Sequence, residues 1–77
     1  MRKFSTIISS PLDRENVVFE IWLGMRQVAE VSNEPNFPMK IEIYANPEDR
    51  AWEFELDEFR AVLESAAISL GKNPGEV

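Results

Sequence analysis

Between Trp52 and Leu70 the chain changes its hydrophobic period, and that change restricts the available folds more than any other feature. WEFEL, residues 52–56, alternates strictly between apolar and acidic side chains, the period-two pattern of a strand with one buried face. From Asp57 onward the apolar residues Phe59, Val62, Leu63, Ala66, Ala67 and Leu70 stand three and four apart or adjacent, a single helical stripe. Asp57 reads as the N-cap, Glu58 suits the positive end of the helix dipole, and Leu56 can staple against the first turn. Gly71 is a natural C′ residue, and residues 72–77 read as a frayed tail carrying Asn73-Pro74-Gly75. A strand that runs into one terminal helix predicts an α+β fold: a small antiparallel sheet of about four or five strands with the helix packed on one face.

The upstream segments supply the other strands. Phe4–Ser9 alternates weakly and predicts a short edge strand, ended by Ser10-Pro11-Leu12-Asp13-Arg14; Pro11 capped by Ser10 can alternatively open a helix. NVVFEIWLGMRQVAEVS is ambiguous. Val18, Ile21, Trp22, Met25 and Val28 would line one helical face, yet the β-branched and aromatic run interrupted at Gly24 favours a hairpin of strands 16–23 and 26–32. Residues 33–38 hold two prolines and two asparagines and read as a loop. Met39–Ala45 follows as a strand, and Asn46-Pro47-Glu48-Asp49-Arg50 has the composition of a turn. One sheet face then carries Val17, Phe19, Ile21, Leu23, Ile41, Ile43, Trp52, Phe54 and Leu56 beneath the helix stripe.

Period two sends the remaining side chains to the opposite face: Val18, Glu20 and Trp22; Val28, Glu30 and Ser32; Lys40, Glu42 and Tyr44; Glu53 and Glu55. Each of the four strands contributes glutamate there, and two contribute a large aromatic. Glutamates on a solvated sheet face keep a protein soluble and discourage edge pairing, which accounts for them one by one. Trp22, Tyr44 and Val28 are costly to leave in water, so the patch packs against the N-terminal segment, a second copy or a partner.

Composition narrows the function. Seventy-seven residues make one domain, 1–77, and a chain of that size buries only about 60% of its unfolded surface. Eight Lys and Arg against 14 Asp and Glu give a net charge of −6, which repels phosphate backbones and anionic membranes and attracts cationic partners. With 44% hydrophobic residues and two tryptophans the chain is expected to fold. There is neither histidine nor cysteine, so the usual general base and thiol nucleophile are missing, as are disulfides and thiolate metal sites. No serine lies in a nucleophile elbow, and three scattered glycines make no phosphate loop. Glu53 and Glu55 as an acid/base pair would need a deep cleft; with Asp57 and Glu58 they lack the spacing of a calcium loop. Single-stranded nucleic acid needs cations beside its stacking aromatics, and Lys40 is alone among glutamates. The expectation is a protein without catalysis, cofactor or metal. The apolar run Ile7-Ile8 behind the N-terminal positive charges is too short for a signal peptide or membrane span, which makes the cytoplasm the default location.

EIWLGMRQVAEVS followed by KIEIYANPEDRAWEFELDEFRAVLE resembles the layout of small acidic bacterial immunity proteins, which neutralise toxin domains used in contact-dependent competition. The likeness spans roughly residues 16–70: a hairpin, a strand, a proline-containing turn, then an acidic strand entering a helix. It implies a cytosolic protein that binds one cognate toxin, often a cationic nuclease. Trp22 and Tyr44 would be its anchors, with Glu20, Glu30, Glu42, Glu53 and Glu55 giving charge complementarity. The alternative is a small regulatory or structural homodimer that buries the same face.

Overall fold

The structure, a computed structural model, describes residues 4–71. Four strands, β1 (Ser5–Ser9), β2 (Val18–Leu23), β3 (Arg26–Ser32) and β4 (Lys40–Ile43), form one antiparallel meander in the order β1-β2-β3-β4, followed by the helix α1 (Leu56–Ser69). The α+β expectation holds, and so does the hairpin. Leu23 pairs with Arg26 across a two-residue turn in which Gly24 has φ +63° and Met25 needs no positive φ. Placing glycine at the first central position matches the twist of the flanking strands. That is why a weak-looking Gly-Met pair suffices.

Phe19, Ile21, Ala29, Val31, Val62 and Ala66 form the core between the sheet and the helix, with Val28 beside them. Phe4, Phe54 and Phe59 extend it towards the helix N-terminus, their ring centroids 4.9–5.8 Å apart. Ala66 is fully buried and lets the helix lie close to the sheet. Asn33 Nδ2 donates to the Leu70 carbonyl at 2.8 Å, and Gly71, at φ +110°, ends the helix. One orphan carbonyl of the last turn is thereby tied to the end of β3.

Several expectations need correction. Val28 does not face outward. Ile21 pairs with Ala29 while Trp22 pairs with Gln27, so Val28 is the extra residue of a β-bulge and is buried with Ala29. A bulge breaks strict alternation, and period-two counting cannot anticipate it. Residues 52–55 are not a strand. Trp52 and Phe54 do alternate inward, stacked at 5.7 Å, but their backbone crosses the end of the sheet to reach the helix and joins no ladder. α1 starts one residue before the expected cap. Glu55 is the N-cap without a side-chain bond, its carbonyl accepts the Phe59 N–H at 3.0 Å, and Asp57 falls inside the first turn. Leu56, turned outward by that first helical residue, is exposed and not part of the core. Val17 lies before β2 and is exposed, and Ile41 and Ile43 on the edge strand remain 38% and 58% exposed. Pro11 opens a turn closed by Arg14 N–H to Pro11 C=O, not a helix. The expected tail lies at 72–77, outside the described residues.

Candidate functional site

The face of the sheet away from α1 is organised around three glutamates. Glu20 pairs with Glu30 and Glu30 with Glu42 in the strand register, so three carboxylates stand side by side across β2, β3 and β4. Directly opposed residues on neighbouring strands have Cβ atoms about 4.5–5.5 Å apart, and like charges there repel. An isolated ladder of this kind would oppose the fold.

Arg14 resolves much of that repulsion. It comes from the connection between β1 and β2, where the Pro11–Arg14 turn swings the chain back over the sheet. Its Nη2 donates to Glu30 Oε2 at 2.9 Å and to Glu42 Oε1 at 2.6 Å. The Glu42 hydrogen bond is the largest influence holding the guanidinium pKa above its ordinary value, opposed by partial burial and assisted by Glu30. Arg14 Nε is buried and makes no bond, so the contact is a single-nitrogen bridge and not a planar fork. Nearby, Val18 and Ser32 pair with each other and are buried although they face away from the hydrophobic core. This end of the glutamate face is therefore covered by its own chain.

Among the described residues no cation pairs with Glu20. Its Oε2 accepts from the Ser9 hydroxyl at 2.7 Å and its Oε1 from Trp22 Nε1 at 2.9 Å, which orients the indole along β2. Trp22 is half-buried and Tyr44, beyond the end of β4, is 37% exposed. The Tyr44 phenol has its pKa raised, first by burial and then by the charges of Glu30 and Glu42, with Arg14 acting in the opposite direction. Tyr44 therefore senses the ladder directly. Its own carbonyl accepts Trp52 Nε1 at 2.8 Å, and its N–H donates to Val28 at 2.9 Å across the bulge.

Glu20, Trp22, Glu30, Glu42 and Tyr44 come together as the alternation predicts. Glu53 and Glu55 do not. Both are exposed, but Glu53 belongs to the coil beside Arg26, Glu48 and Arg50, and Glu55 caps the helix on the other side of the sheet. They left the row when the segment crossed the sheet end. The residue that periodicity missed is Arg14, because it lies in a turn. The only sequence hint was a lone arginine upstream of three in-register glutamates.

A second polar feature adjoins this face. Glu34 accepts the N–H groups of Glu15 and Asn16 at 2.7 and 3.0 Å, joining the loop before β2 to the loop after β3. An open groove runs between the two loops past Asp13, Arg14, Phe37 and Lys40. Among the described residues no three acidic side chains are placed to hold a metal ion, and no helix is long and apolar enough to cross a membrane. Comparison with protein families, curated proteins and solved structures finds no match to this chain.

Proposed function

We propose that this chain is a non-catalytic binding protein of the immunity type, which inhibits a cationic protein toxin through the glutamate face. The observation that carries the reading is the pre-ordered set of Glu20, Trp22, Glu42 and Tyr44. Glu20 is fixed by two hydrogen bonds, Trp22 is oriented by one of them, and Glu42 is held by Arg14 while its side chain stays half-exposed. Side chains fixed before association lose little conformational entropy on binding. Carboxylates that outnumber Arg14 and Lys40, the cations described beside them, steer a basic partner and then pair with its arginines or lysines. Trp22 and Tyr44 provide apolar area beside those charges, the composition of an interface hot spot.

The test is co-expression with the product of the adjacent upstream gene, scored as rescue of growth, followed by calorimetry and stopped-flow binding with the purified toxin domain. Trp22→Ala is expected to weaken binding at least tenfold while the protein stays folded. Glu42→Lys is expected to slow association, with a salt dependence shallower than the parent's. Absence of rescue, or unchanged affinity in both variants, would remove this function from the glutamate face.

A further inference from the structure

We propose that the outer edge of β4 pairs with the same edge of a second copy, antiparallel about a two-fold axis at Ile41, joining two four-stranded sheets into one of eight. Among the described residues β4 ends the sheet and has no strand on its outer side. The Tyr44 N–H to Val28 C=O bond fixes which backbone groups face inward. Alternation along an antiparallel ladder turns the N–H and C=O of Glu42 and Lys40 towards β3, and those of Ile41 and Ile43 towards the open edge.

Only odd-numbered residues of β4 can therefore exchange hydrogen bonds with a second β4, which leaves four two-fold registers centred on a β4 residue, of which the one at Ile43 sets Glu42 opposite Tyr44 and gains no ion pair. One sets Glu42 against Glu42 of the second copy and another sets Lys40 against Lys40, and both put like charges in direct opposition. The register at Ile41 pairs Ile41 with Ile41 and sets each Lys40 opposite the Glu42 of the other copy. Charge selects that register. On the other face of the same strand, Ile41 and Ile43 are 38% and 58% exposed because α1 does not cover the edge. The two-fold register sets Ile41 on Ile41 and Ile43 on Met39, removing that apolar surface from water. Lys40 and Glu42 would ordinarily protect a short edge from pairing; here they form a self-complementary pair.

β1, at the opposite side of the sheet, carries no charge in Ser5–Ser9, so nothing in it selects a register. An isologous β4 contact also closes after two copies, whereas β1-to-β4 pairing would propagate into filaments. The contact shares Glu42 with the proposed toxin-binding face but not Trp22 or Lys40, so Trp22→Ala and Lys40→Glu tell the two proposals apart.

Sedimentation equilibrium tests it. The full chain is expected to approach twice the monomer mass at high concentration. Lys40→Glu, which creates two glutamate-to-glutamate contacts across the axis, is expected to be monomeric, and Glu42→Lys likewise through two lysine pairs. An equimolar mixture of the two variants is expected to regain the dimer mass, because each chain then meets its opposite charge. Trp22→Ala should leave the mass unchanged. Ile41→Pro, which removes an edge N–H without touching the β3 ladder, should also give monomer, with circular dichroism showing that the fold is retained. A parent chain that stays monomeric at the highest soluble concentration, or a dimer that survives Lys40→Glu, would overturn the proposal.

Discussion

The two faces of the sheet are both partly buried, but by different means. The helix face is closed by apolar side chains at regular spacing, Phe19, Ile21 and Val31 against Val62 and Ala66. Any residue of similar shape performs that task, and dispersion and water exclusion do most of it. The glutamate face is held by a few directional contacts, of which Arg14 to Glu30 and Glu42 are the most consequential. Removal of one partner there leaves charges without compensation, so its tolerance of change is chemical where the other's is volumetric.

Truncation at matched burial gives the largest effect that can break this contrast. Ile21 and Val18 are both fully buried, on opposite faces. Ile21→Ala is expected to destabilise by about 2–5 kcal/mol, the range for large-to-small changes in a well-packed core. Val18→Ala should cost about 2 kcal/mol, from roughly 0.8 kcal/mol per methylene plus a small cavity. Urea denaturation measures both, and equal losses per carbon removed would mean that the glutamate face is packed as densely as the core.

A smaller effect is expected from Arg14→Ala, which should lower the urea midpoint. The loss should shrink when Glu30 and Glu42 are both Gln, because the repulsion that Arg14 offsets is then gone. A double-mutant cycle with no coupling would reduce the bridge to a surface contact.

The smallest effect is spectroscopic. Tyr44 is the only tyrosine, so its ionisation can be followed by absorbance without assignment. Its midpoint in the folded protein should lie above the unfolded value of about 10. A raised pKa on a group that is neutral when protonated means that the folded state holds the proton more tightly. The associated stability is complete below the unfolded pKa and declines as pH rises through the folded one. Arg14→Ala should raise the midpoint further and Glu42→Gln should lower it. The reverse order would separate Tyr44 from the ladder.

Much of this was legible in the sequence wherever one period ran without interruption. The α1 stripe and the β2–β3 hairpin follow from spacing and from one glycine, and Glu20, Glu30 and Glu42 fall on one face by alternation. The failures lie where a local event resets the count. The bulge at Val28 sends an expected outward residue into the core. At Trp52–Phe54 the alternation is real in the side chains but serves a crossing, so Glu53 and Glu55 are carried away from the site. Arg14 was hidden for a further reason: its partners lie 16 and 28 residues away, and no local pattern encodes such a distance.

The same separation sets when the bridge forms. The β2–β3 turn closes over two residues, and α1 is local throughout, so both can organise early. Arg14 meets Glu42 only after β4 has docked on β3 and the β1–β2 connection has folded over them. Its contribution therefore falls after the folding barrier. Arg14→Ala should leave the refolding limb of the chevron in place and steepen the loss of native protein, so that the bridge acts mainly as a brake on unfolding.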